Sequence, residues 1–138
     1  MYTMYRRIAA VAVLLLALAG CATGPAGKGS TAVEDRAIKR WELLIERKPE
    51  KAYEFLTPGY RKTHPVAGYA ISMGSRPIKW TSVKFMDKEC TEDSCTVRLL
   101  VSFEVRINAG IPGPIESVDV QKEKWVKVSG KWYHLPRA

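Results

Sequence analysis

The hydrophobic pattern of the chain changes character along its length. An uncharged run from Ile8 to Gly20, almost wholly Ala, Val and Leu, gives way at 22–30 to "ATGPAGKGS", which has no period. From Thr31 a helical rhythm sets in. Val33, Ala37, Ile38, Trp41, Leu44 and Ile45 recur every three or four residues and predict one amphipathic helix to about Lys48. Thr31 and Glu34 are spaced as a capping box, and Asp35 with Lys39 as an i,i+4 ion pair. Pro49 ends that helix and suits the first turn of the next, "PEKAYEFL", which Thr57-Pro58-Gly59 closes. The stretch 60–77, with Tyr60, Val66, Tyr69 and Ile71, reads as a broken third helix or an ordered loop.

From Ile78 the period shortens to two. "IKWTSVKFMDKE" is a strand whose irregular alternation predicts a bulge. In 96–108, Val97, Leu99, Val101, Phe103, Val105 and Ile107 face one way, and Arg98, Ser102, Glu104 and Arg106 the other, with Leu100 the exception. "AGIPGPI" (109–115) is a turn and "ESVDVQKEKWVKV" a third strand, which Ser129-Gly130 joins as a two-residue hairpin to "KWYHL". Two or three amino-terminal helices packed on a curved antiparallel sheet of about four strands make an α+β domain.

The first residues change the picture more than any composition statistic. Arg6 and Arg7, the apolar run and the small residues after it have the three-part layout of a secretory signal. The run is shorter than the roughly 20 apolar residues that a membrane span needs. Leu18-Ala19-Gly20-Cys21 resembles the lipobox of bacterial lipoproteins. That resemblance implies cleavage between Gly20 and Cys21, a diacylglycerol on the Cys21 sulfur and a further acyl chain, such as palmitate, on its new amino group. Several chains are needed for a durable anchor, because one acyl chain gives only marginal, reversible membrane binding. The competing reading, an ordinary leftover cysteine, has less to recommend it, and the twin-arginine pattern lacks its flanking residues. Ala22, rather than Asp, resembles the pattern sent on to the outer membrane of Gram-negative cells, facing the periplasm. The expected organisation is therefore a signal peptide (1–20), a lipidated Cys21 with a tether (21–30) and a single domain (31–138). Nine stretched residues span roughly 30 Å, so the domain would work close to the bilayer.

The formal charge of +8 falls to +6 once residues 1–20, with their two arginines, are removed. An exported basic chain meets phospholipid head groups, lipopolysaccharide or peptidoglycan rather than nucleic acid. The scattered Lys and Arg serve solubility at least as well. Cys90 and Cys95 are an even pair, read as a structural disulfide in an oxidising compartment. A zinc site fails because His64 and His134 are distant and no second cysteine pair exists, and redox-active pairs have the closer Cys-x-x-Cys spacing. No metal and no cofactor beyond the covalent lipid is expected.

"RWELLIERKPEKAYEFLTPGYR" (40–61) and "EKWVKVSGKWYHL" (123–135) resemble the first helices and the closing hairpin of the nuclear-transport-factor-2-like superfamily. The resemblance covers about a third of the chain and implies a curved sheet wrapped around a helix as a cone. Three function classes follow. An isomerase- or dehydratase-like enzyme would need a carboxylate or His in the cone with an oxyanion donor. Glu104, Glu123 and His134 are the candidates, with Tyr53, Tyr60, Tyr69 or Tyr133 as donors. Glu104, beside Arg98 and Arg106, reads instead as a solvated ion-pair row, and His134 as exposed or hydrogen-bonded; no isomerase motif matches position by position. A small apolar ligand or lipid would be lined by Trp41, Tyr53, Trp80, Phe85, Phe103 and Trp125, though aromatics at these spacings more often fill a core. The expectation is the third class, a non-catalytic protein-interaction or assembly module. It would dock an envelope protein or a second copy through the sheet or the loop carrying Ile111 and Ile115. Intact mass spectrometry is expected to find a chain beginning at Cys21 and heavier by two or three acyl chains; a bare thiol there would remove the anchor.

Overall fold

The computed structural model describes residues 32–106, 110 and 112–137. Among them the elements run α1 (Val33–Ile45), α2 (Pro49–Tyr53), α3 (Pro58–Thr63), α4 (Val66–Gly74), β1 (Ile78–Cys90), β2 (Ser94–Val105), β3 (Ile115–Val128) and β4 (Lys131–Leu135). The strands form one antiparallel sheet in the order β1-β2-β3-β4. Consecutive strands pair because each connection is a tight turn or a short loop.

The core is built on the inner row of β2. Cys95, Val97, Leu99 and Val101 point to one face and are at most 1% exposed. Val33, Ala37, Trp41 and Leu44 of α1 join them in one buried cluster with Trp125 of β3. Arg36 fastens α1 to the last strand, its Nε donating to the Trp132 carbonyl at 2.6 Å while its guanidinium lies 4.6 Å from the Phe55 ring centre. The outer edge of β4 is covered by residues 55–57: His134 N donates to Phe55 O at 2.8 Å and Thr57 N to His134 O at 3.0 Å.

Most expected elements are present, with differences at their ends. The first helix stops at Ile45 rather than Lys48. Lys48 N donates to Leu43 O at 2.8 Å and Arg47 N to Leu44 O at 3.1 Å, the paired bonds of a Schellman ending. Arg47 holds the left-handed position there at φ 61°. Thr31 of the expected capping box lies outside the described residues. The N-cap is Ala32, without a side-chain bond, and Glu34 instead accepts from Lys88 Nζ at 2.6 Å. Lys39 pairs forward with Glu42 at 3.2 Å rather than back with Asp35.

Thr57-Pro58-Gly59 opens α3 instead of closing α2, because Thr57 Oγ1 accepts from Tyr60 N at 3.4 Å and Pro58 takes the first helical turn. The stretch 60–77 is the broken helix. The irregular alternation of β1 reflects two register shifts, at Trp80/Ser82 and Phe85/Asp87. Cys90 and Cys95 face each other across β1 and β2, 4.1 Å apart at Cα, and form a disulfide. Ser129 (φ 50°) and Gly130 (φ 77°) both adopt the left-handed conformation that a two-residue hairpin of this kind requires. Ile107 and Ile111 lie outside the described residues.

Arg47 carries a Cβ where glycine is favoured, and its side chain is exposed. Arg47→Gly is expected to stabilise the fold by about 0.5–1 kcal/mol in urea denaturation, as relief of left-handed strain outweighs the added freedom of the unfolded chain.

Candidate functional site

The inner row of β2 is matched on β3 by Trp125 opposite Cys95 and Glu123 opposite Val97. Strand alternation therefore carries a carboxylate into the core beside an indole. Glu123 is 6% exposed, and burying a charge costs several kcal/mol unless it is paired and hydrogen-bonded. It is fully engaged. Glu123 Oε1 accepts from Arg40 Nη1 and from Trp41 Nε1, each at 2.8 Å, and Oε2 accepts from Trp125 Nε1 at 3.0 Å. Arg40 and Trp41 are adjacent on α1, so one turn of helix delivers two of the three donors. Guanidinium and indole N–H groups cannot accept, so both oxygens serve as acceptors.

Arg40 is itself buried, and its Nη2 donates to Tyr69 Oη of α4 at 3.3 Å. Burial opposes the Arg40 charge, but the carboxylate of Glu123 and the Tyr69 hydroxyl outweigh it and hold the guanidinium protonated above its usual range. His134 sits opposite Trp125, ring centres 5.6 Å apart, with Nδ1 buried and unpartnered. Burial, and then the nearby Arg40 charge, push its pKa down to about 2.

Above this network opens a cleft of about 730 Å³. Tyr60, His64, Tyr69, Ser72 and Arg76 of the α3–α4 segment form one wall. Asp119, Gln121 and Lys122 of β3 form the other, and Trp41, Trp80 and Glu123 the floor, with Arg137 at one end. Gln121 Nε2 donates to Asp119 Oδ2 at 2.6 Å, and Tyr60 stacks on His64 at 3.9 Å. The side chains mix both charge signs with apolar and aromatic surface, a lining suited to a polar or amphipathic occupant.

The expected residues divide clearly. Trp41 and Trp80 reach the cleft, in edge-to-face contact at 5.4 Å. Trp125 is fully buried in the core. Tyr53 lies away from the cleft, its hydroxyl donating to Arg61 O at 3.0 Å and His64 O at 2.8 Å, which fixes the α3–α4 turn. Phe103 lies opposite Trp80 on the sheet but outside the cleft, and Phe85 is 38% exposed. Glu104 bonds Lys79 at 3.5 Å, not Arg98, which makes a two-pronged pair with Asp87 at 2.6 and 2.7 Å. His134 is half-buried and borders the cleft, with Nδ1 unpartnered and the Trp125 ring and residues 55–57 packed against it. Tyr60 and Tyr69 line the cleft; Tyr133 lies beneath the Arg36 and Lys131 charges.

Among the described residues no cluster of three His, Cys, Asp or Glu could hold a metal ion, and no helix is long and apolar enough to cross a membrane. Arg40 was not singled out by the sequence. Its one legible signal is a charge beside Trp41 at the edge of the apolar helix stripe, matched by Glu123 on the same strand face as Trp125.

No protein-family model and no curated protein matches the chain. Solved structures do. RPA3114, a SEC-C motif containing protein from Rhodopseudomonas palustris, is 15% identical with a TM-score of 0.61 over 79% of each chain. A putative NTF2-like transpeptidase from Campylobacter jejuni is 16% identical with a TM-score of 0.54, over 75% of this chain and 97% of that one. These likenesses are of fold. The protein is an α+β domain with an open antiparallel sheet of four strands and an NTF2-like structural neighbour.

The unfolded His134 imidazole takes up a proton near pH 6.5 while the folded one stays neutral down to about 2. Stability is therefore present above pH 6.5 and lost as the pH falls below it, by up to about 1.4 kcal/mol per pH unit. His134→Leu is expected to flatten this slope between pH 7 and 5, read from urea midpoints of the two proteins.

Proposed function

We propose that this protein is a lipid-anchored module of the cell envelope that binds a partner without catalysing a reaction. In this reading residues 1–20 direct export and are removed, Cys21 carries the lipid, and a short tether presents an NTF2-like cone whose mouth is the cleft. The Cys90–Cys95 disulfide supports an oxidising compartment. The observation that carries the non-catalytic part is the state of Glu123. It is the one carboxylate at the cleft floor, and three donors hold both its oxygens. A general base must aim a free lone pair at the proton it removes, and these donors turn both oxygens toward the core. His134, the other candidate, also borders the cleft, but burial and the Arg40 charge push its pKa down to about 2, too low for a general base near neutral pH.

The cleft favours a protein segment over a lipid. Its walls bring His64, Arg76 and Asp119 toward the occupant. The apolar recess at Leu44, Met73 and Trp80, residues that also border the cleft, holds only about 120 Å³, too little to take an acyl chain by itself.

A photo-crosslinking residue at Ser72 on α4, in the full-length protein in intact envelopes, tests this. A discrete protein adduct is expected, lost when Gly68→Arg fills the cleft. Adducts to lipid or small metabolite alone would overturn the interaction reading, and turnover of any such ligand would restore an enzyme.

A further inference from the structure

β4 pairs with only the last part of β3, Lys124–Val128. Ahead of it no described strand pairs with the outer edge of β3. Among the described residues its one partner there is Arg137, whose Nη2 donates to Lys122 O at 3.3 Å. Neighbouring positions show which backbone groups point outward. Lys127 N turns inward to Asp93 O, whereas Lys122 O turns outward to Arg137. In an antiparallel strand, alternate residues direct both N–H and C=O to the same side. Glu116, Val118, Val120 and Lys122 therefore offer their backbone groups to the open edge. Their side chains share the outer sheet face, where Val118 is 60% and Val120 46% exposed. Long open edges with exposed apolar side chains are templates for pairing with another strand.

We infer that two copies of this chain join edge to edge through β3, antiparallel and centred on Asp119, to make one continuous eight-stranded sheet. Charge selects this register. Glu116 falls opposite the second copy's Lys122, Val118 opposite its Val120, and both pairs recur by symmetry. A two-residue slip either way breaks the match: centred on Val118, Lys122 meets Pro114, which has no N–H; centred on Val120, Glu116 meets Lys124, already paired to β4. Arg137 yields Lys122 O to the incoming strand and stands beside the arriving Glu116 carboxylate. Asp119 meets its own copy, the one like-charged contact of this register. The edge borders the cleft, whose lining shares Asp119, Val120, Lys122 and Arg137 with it, but the ladder uses the strand's backbone and outer face and needs no cleft occupant.

The test uses full-length protein extracted in mild detergent. Asp119→Cys is expected to crosslink to a dimer under mild oxidation, because directly opposed residues at a non-hydrogen-bonded pair lie about 4.5 Å apart at Cα. Val118→Cys is expected to remain uncrosslinked, since its own copy lies beyond the roughly 7 Å reach of a disulfide. A dimer already crosslinked in the parent protein would come from Cys21 and report a missing lipid, not this interface. By sedimentation, Glu116→Lys should weaken the dimer by about tenfold or more, and the swap E116K/K122E should restore it. Asp119→Asn should tighten it. A monomeric parent, an uncrosslinked Asp119→Cys or a dimer indifferent to Glu116→Lys each overturns the inference.

Discussion

The structure depends on one buried carboxylate. Glu123 is reached by a guanidinium and two indoles from α1 and β3, and through Arg40 it is tied to Tyr69 on α4. Removing one member of such a pair leaves an uncompensated charge in the core, which typically costs about 3–5 kcal/mol. An apolar replacement of the whole set could fill the same volume as well. What the polar set adds is direction: Trp41 and Trp125 are held by their N–H groups, and α1 can sit on the sheet in only one rotational setting. That setting places Trp41 and Tyr69 at the cleft, so the network that closes the core also shapes the opening above it.

Fixing the floor in this way has a chemical consequence. Three donors fix the orientation of this carboxylate, two on Oε1 and one on Oε2. His134 is constrained similarly, kept neutral by burial and by the Arg40 charge. The groups left open to an occupant are those higher on the walls, with side chains that solvent already reaches. They offer an occupant charge and hydrogen bonding.

Much of this was legible in the sequence, and what was not has local causes. The helix stripe from Val33, the alternation of β2 and the Ser129-Gly130 turn each follow from a strong period or a turn residue, and all are present. The Cys90–Cys95 bridge follows from the even pair on facing strand ends. The α3 start was hidden because Thr57-Pro58-Gly59 is equally a stop and an N-cap, and only the Thr57–Tyr60 bond decides between them. Arg47 concealed the end of α1 because arginine in a left-handed cap carries no signal that glycine would. Pattern alone left the aromatics between pocket and core: Trp41 and Trp80 reach the cleft, whereas Trp125 is buried and Tyr53 bonds the α3–α4 turn.

The least legible strand was β3, because its polarity inverts along its length. At Trp125 the inner face is dry core under the helices, but Gln121, Asp119 and Ser117 continue the same face as polar residues. Helix α1 reaches β3 at Glu123 through Arg40 and Trp41, and beyond its cover the inner face of β3 borders an open cleft. A polar row there keeps the cleft wet. The valines Val118 and Val120 then fall on the opposite face, beside Leu100 across the ladder. Alternation alone would assign those valines to the core and the acids to solvent. The sheet instead turns its apolar row outward where helix cover ends, and the same passage of chain leaves its backbone edge open.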